Sequence, residues 1–172
     1  GFCLVGSEMC IRDSYQSINK EIYADANGTL RVTYGNVSGV ELKDGVYYKP
    51  FTTLEGIAEK HSGQEPFNVG NKLLNKISEK DYGDYYFEPI DSVPVNFIST
   101  LDITNGNSGS ATINADFDLV GLAFDGILET IIADYKYIPQ ARSISVDSRY
   151  LLWTLEKIEK ACLLYTSPSP RD

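Results

Sequence analysis

Ser108 is the residue whose type and surroundings best suit it to chemistry. It stands inside a small-residue loop, Thr104-Asn105-Gly106-Asn107-Ser108-Gly109-Ser110-Ala111. Gly106 and Gly109 flank it and free the backbone for positive-φ conformations. Such a turn can aim two backbone N–H groups at one point beside a serine hydroxyl. Acyl transfer needs that pairing of a nucleophile with donors placed where the oxyanion forms. The same residues also fit an ordinary glycine-rich hairpin loop, because short Gly/Ser motifs are common. A serine nucleophile needs a base, and the only histidine is His61, with Asp102 between it and Ser108.

The elements that must position the loop read as short strands. Val93 to Ser99 leads in; Ala111 to Asn114 and Leu119 to Phe124 form a hairpin leading out. Upstream, Thr29 to Tyr34 alternates apolar and polar residues and predicts a strand after an Asn27-Gly28 turn. Gly35 to Leu42 predicts a second, bent strand, Asp44-Gly45 a turn, and Val46 to Tyr48 a short extended piece. Thr52-Thr53-Leu54-Glu55 has capping-box spacing with Thr52 as cap, opening a helix to about Lys60. Asn71 to Lys80 predicts a second helix, and Asp81 to Pro89 a loop. Arg142 to Val146 is the last strand. Asp147 then caps a helix carrying Leu151, Leu155 and Ile158 on one face. Tyr15 to Tyr23 gives no clear pattern. Tyr23, Tyr34, Tyr47, Tyr48, Tyr150 and Trp153 are expected to be core or half-buried packing rather than a binding surface.

The 172 residues are 42% hydrophobic and 23% charged, which suits one globular domain, and no repeat or linker divides them. No apolar run approaches the roughly 20 residues of a membrane span. A formal net charge of −9 argues against a nucleic-acid partner. No Cys/His cluster, phosphate loop or carboxylate pair with metal spacing stands out, so neither metal nor cofactor is expected. Gly1 to Ser14 and Cys162 to Asp172 read as translated sequencing-adapter sequence and are set aside from the fold. All three cysteines (Cys3, Cys10, Cys162) fall there, so they carry no argument about disulfides. Residues 15–161 are read as one domain, cut from a longer protein.

Four blocks narrow the function. Gly106 to Ala111 (GNSGSA) resembles the GNSGSP active-site loop of chymotrypsin-fold serine peptidases. With YADANGTLRVTYG (Tyr23 to Gly35), YYKPFTTLEGIAEK (Tyr47 to Lys60), LVGLAFDG (Leu119 to Gly126) and RSISVDSRYLLW (Arg142 to Trp153), the chain is similar to the C-terminal part of the bacterial dipeptidyl-peptidases 7 and 11. The resemblance implies a mostly β fold with short helices: the second β-barrel of a trypsin/chymotrypsin-like protease, with antiparallel strands followed by a C-terminal helix. It implies a serine exopeptidase that releases dipeptides from oligopeptides with a free N-terminus. It implies a periplasmic or cell-surface location in a Gram-negative bacterium, and it allows a homodimer of the full-length enzyme.

By resemblance Ser108 is the nucleophile, and the oxyanion hole uses the N–H groups of Gly106 and Ser108. Ala111 departs from the family's proline, which bears on loop stiffness more than chemistry. The family's catalytic His and Asp precede this region, so His61 is not expected to serve, and an exposed imidazole is expected in its Lys60-His61-Ser62-Gly63 turn. Phe124-Asp125-Gly126 is expected to bind substrate. An arginine at position 126 goes with acidic substrates, and glycine leaves an apolar slot for the residue before the scissile bond. Asp125 fits either a partner for the substrate's α-ammonium group or a turn aspartate. Ile127 to Ile132 departs from the family. The rival readings are a glutamyl-endopeptidase-like protease and a non-catalytic β-barrel binding domain. The first leaves the 23–60 and 142–153 blocks unexplained.

Overall fold

The computed structural model describes residues 30–132 and 138–161, with Ser17 alone before them. The two terminal stretches with their cysteines, Tyr23, the Asn27-Gly28 turn and Thr29 lie outside the described residues. Strands β1 (Val40–Lys43) and β2 (Val46–Tyr48) form a hairpin across the Asp44-Gly45 turn, with Gly45 at φ +76°. Strand β3 (Phe51–Thr53) runs into helix α1 (Leu54–Lys60), and helix α2 (Asn71–Glu79) follows. Strands β4 (Pro94–Ser99), β5 (Ala111–Ile113), β6 (Leu119–Gly126) and β7 (Ser143–Asp147) come next, then helix α3 (Ser148–Trp153). The main sheet has the order β3-β4-β7-β6-β5, antiparallel throughout. The mostly β architecture with short helices is as expected. Among the described residues the sheet is open, with β3 and β5 at its edges, and does not close into a barrel.

Period-2 alternation gives the sheet two apolar faces. Val95 packs with Leu54, Ile77, Tyr82, Val93 and Trp153 in the larger core, under the helices. Ile98, three residues on, points the other way and packs with Val40 and Ile127. Trp153 is fully buried, and its indole N–H donates to the Asp81 carbonyl at 2.8 Å. Asp147 caps α3 as expected, accepting from the Arg149 N–H at 2.9 Å, and also ion-pairs with the Arg149 guanidinium.

Four expectations are corrected. Leu30, Val32 and Tyr34 are 94%, 83% and 92% exposed and join no strand. Alternation alone does not make a strand; a ladder partner does, and pairing starts only at Asn36–Ser38, beside Ile98, Ser99 and Thr100. Tyr47 and Tyr48 are likewise exposed, on the two-stranded β1–β2 hairpin. Thr53, not Thr52, caps α1 by accepting from the Gly56 N–H, while the Thr52 hydroxyl accepts from the Asn96 N–H. Glu55 therefore does not answer the cap; it accepts from the hydroxyls of Tyr82 and Ser92. Finally, Leu155 is 37% exposed because the helix loosens to π pitch over Thr154–Ile158, which shifts the buried face to Tyr150, Trp153 and Ile158.

Candidate active site

The serine loop is built by its own backbone. Thr104 and Asn107 close it from both sides: the Asn107 N–H donates to the Thr104 carbonyl at 3.2 Å, and the Thr104 N–H donates to Asn107 Oδ1 at 2.9 Å. Gly106 sits at φ +88° and Gly109 at φ +85°, where a side chain would be strained. Past the turn, the Gly109 N–H donates to the Ala123 carbonyl at 2.7 Å, and the Ala123 N–H to the Ser110 carbonyl at 2.9 Å. The loop is thus stitched to β6 immediately beside Ser108.

Ser108 is exposed, and its hydroxyl donates to the Phe124 carbonyl at 3.2 Å. Residues read from the sequence as nucleophile and substrate strand are therefore in direct contact. The Phe124 ring is 45% exposed. Asp125 is exposed and accepts the Gly126 N–H on Oδ1 at 2.8 Å, the local bond of a turn aspartate; Oδ2 takes no hydrogen bond from the described residues. A register shift between Ala123 and Asp125 re-aims this end of β6 against β7.

Gly126 is close-packed. A Cβ built there would lie 2.9 Å from Thr130 Cβ, 3.0 Å from its Cγ2 and 3.1 Å from its Oγ1. Thr130 belongs to a 3-10 turn, Leu128–Ile132, and its N–H donates to the Ile127 carbonyl at 2.8 Å. Its hydroxyl donates to the Arg142 carbonyl at 3.0 Å and accepts from the Arg142 N–H at 3.2 Å. The Arg142 guanidinium is turned elsewhere, onto the carbonyls of Ser38, Gly39, Pro139 and Ala141.

His61 is half-buried rather than exposed, because its Nδ1 accepts the Val69 N–H at 3.0 Å and ties the loop after α1. The imidazole and the Ser108 hydroxyl thus make their hydrogen bonds to different groups. Sequence reasoning did not single out Asn107, which closes the serine loop, or Thr130, which packs against Gly126. An asparagine beside a glycine turn is a readable signal for Asn107. Nothing local marks Thr130, whose contacts cross a turn. Among the described residues no group of three His, Cys, Asp or Glu could hold a metal ion, and no helix is long and apolar enough to cross a membrane.

The serine loop is stitched to a bulged, exposed strand end, and comparison with known proteins names the class. The chain belongs to the peptidase S46 family, whose model matches residues 9–167 and so reaches into both terminal stretches. It is 43% identical to the Asp/Glu-specific dipeptidyl-peptidase of Shewanella putrefaciens over 169 residues, covering 86% of this chain and 23% of the relative. It is 45% identical to dipeptidyl-peptidase 7 of Phocaeicola vulgatus over 136 residues, covering 78% of this chain and 19% of the relative. The crystal structure of Porphyromonas endodontalis DPP11 in complex with the dipeptide Arg-Asp superposes with a TM-score of 0.74 at 37% identity, covering 80% of this chain and 20% of that one. The chain therefore spans about a fifth of the length of the relatives it matches. The resemblance read from the four sequence blocks holds.

Proposed function

We propose that this chain is the nucleophile-bearing part of a longer serine dipeptidyl-peptidase, with its sheet forming half of a chymotrypsin-like second barrel. Ser108 attacks the second peptide bond from a free N-terminus, and the Gly106 and Ser108 N–H groups hold the oxyanion. The single observation that carries the reading is the Ser108–Phe124 hydrogen bond, which couples the nucleophile loop to the strand end that meets substrate. In this reading the histidine that takes its proton comes from the rest of the full-length enzyme, which is supported by the Ser108 hydroxyl donating to a carbonyl and by His61 accepting from Val69. The exposed Phe124 ring and Asp125 flank the substrate; the free Asp125 oxygen pairs with its α-ammonium group. The enzyme works in the periplasm or at the cell surface.

The residue before the scissile bond is apolar in this reading, since position 126 offers no guanidinium and that of Arg142 is spent on four carbonyls. A second reading, preference for Asp and Glu, is favoured by the names of relatives such as that of Shewanella putrefaciens. In the full-length enzyme, kcat/KM for a pair of dipeptidyl substrates ending in Leu or Asp separates the two. The apolar reading expects Leu to lead by roughly tenfold or more, and a lead for Asp overturns it. The chain by itself is expected to resist labelling by a fluorophosphonate; stoichiometric labelling at Ser108 would reveal a local base and return His61 to consideration.

A further inference from the structure

Gly126 leaves out a side chain, but the space it leaves is not empty. All three atoms nearest to a Cβ at that position belong to one residue, Thr130, at 2.9 to 3.1 Å. Such distances are shorter than van der Waals contact allows, so Thr130 already stands where the missing side chain would begin. Its orientation is fixed as well. The hydroxyl makes two hydrogen bonds to the main chain of Arg142, one as donor and one as acceptor. That leaves the Cγ2 methyl, 3.0 Å from the built Cβ, as the group with no polar work to do.

We propose that Thr130 is a specificity-determining residue: its methyl group forms the floor of the slot at Gly126 and limits how large an apolar side chain can precede the scissile bond. The inference rests on the reading of Gly126 as part of that slot. A glycine at 126 is then required by Thr130 as much as by the substrate. A methyl floor favours aliphatic side chains of Val or Leu size over Phe, and it offers nothing to a carboxylate. The main chain of Arg142 occupies the Thr130 hydroxyl.

The test uses the full-length enzyme and the ratio of kcat/KM for dipeptidyl substrates ending in Phe and in Val. Thr130→Ser removes the methyl and keeps both hydrogen bonds, and is expected to raise the Phe/Val ratio roughly tenfold, the usual worth of one methylene in an apolar pocket. Gly126→Ala adds a Cβ against Thr130 and is expected to lower the ratio. The double variant should return toward wild type. Thr130→Val keeps the volume and loses the hydrogen bonds, so it should lower the melting temperature and leave the ratio within about twofold. If Gly126→Ala moves the ratio and Thr130→Ser does not, the floor is another residue and the inference falls while the slot stands. If neither moves it, although Ser108→Ala still abolishes turnover, the slot is not at Gly126 and both fall. A Thr130→Val ratio as high as that of Thr130→Ser would show that the hydrogen bonds set the depth, which also overturns the proposal.

Discussion

The two sides of this molecule are held together by different means. Under the helices, Trp153, Leu54 and Val93 are fully buried, and side-chain pairs lie among them: Glu55 takes the hydroxyls of Tyr82 and Ser92, and Asp147 holds Arg149, while the Thr154 hydroxyl is buried and unpaired among the described residues. Around Ser108 backbone-to-backbone bonds stitch the loop to β6, helped by short-range side-chain bonds, and Ser108, Phe124 and Asp125 are exposed. One side stores stability in side chains. The other ties its loop to the sheet by main-chain hydrogen bonds and leaves its side chains exposed. Substitutions should therefore separate cleanly into those that change activity and those that change folding.

The sharpest separation is at Ser108. In the full-length enzyme Ser108→Ala should lower kcat by about 10⁴-fold or more with an unchanged melting temperature, because it removes the nucleophile and only one exposed hydrogen bond. Steady-state assays and calorimetry on the same preparation check this. Next comes its counterpart, Trp153→Ala, which should cost about 3–5 kcal/mol of stability by denaturant titration and leave kcat/KM per folded molecule within about twofold. A large loss of activity in well-folded Trp153→Ala would show that the two sides are coupled.

Asn107 probes the boundary. Its Oδ1 fixes the Thr104 N–H and thereby the turn that carries Gly106. Asn107→Ala is expected to lower kcat by roughly 10- to 100-fold with little change in KM, since a displaced oxyanion donor acts on the transition state. Asn107→Asp keeps the acceptor oxygen and should recover most of that loss.

The smallest effects are in pH. Burial, and then the hydrogen bond and charge of Glu55, push the Tyr82 hydroxyl up to about 12. Its contribution is fully present below its ordinary value near 10 and is lost as pH rises through about 12. Burial pushes the Glu55 carboxyl up, but hydrogen bonds from Ser92, Tyr82 and the backbone outweigh that and leave it below its ordinary value of 4.5. Its contribution is present above that value and is lost as pH falls through the lowered one. Stability should be flat between these limits. Tyr82→Phe should remove the alkaline limb and Glu55→Gln the acid limb, each costing about 1.5–3 kcal/mol near neutrality. Urea midpoints measured across pH would check both.

What was legible in the sequence was local. The hairpin into β6, the Asp147 cap, the end of α1 at Lys60 and the glycine-flanked serine all depend on residues within a few positions of one another. The misreadings share a cause. Leu30 to Tyr34 carries strand alternation but finds no ladder. Glu55 has capping-box spacing but is drawn to Tyr82, 27 residues away. Leu155 keeps the helical period until the pitch changes beneath it. In each, something beyond the local pattern decided: a missing ladder, a distant partner, or a change of helix pitch. Thr130 was invisible for the same reason: its two neighbours, Gly126 and Arg142, meet only once β6 and β7 are paired.

The Arg142 guanidinium joins the carbonyls of Pro139 and Ala141 to those of Ser38 and Gly39, which lie 104 and 103 positions from Arg142 along the chain. Bringing such distant segments together costs chain entropy that grows with the logarithm of the loop, and a single side chain cannot meet that cost alone. The contact is therefore expected to be a late reporter of assembly, formed after β4 and β7 have aligned. In amide exchange, the Ser38 N–H on the Ile98 carbonyl and the Ile127 N–H on the Arg142 carbonyl should open together when that reporter is cut, although they lie on segments that share no sequence neighbourhood.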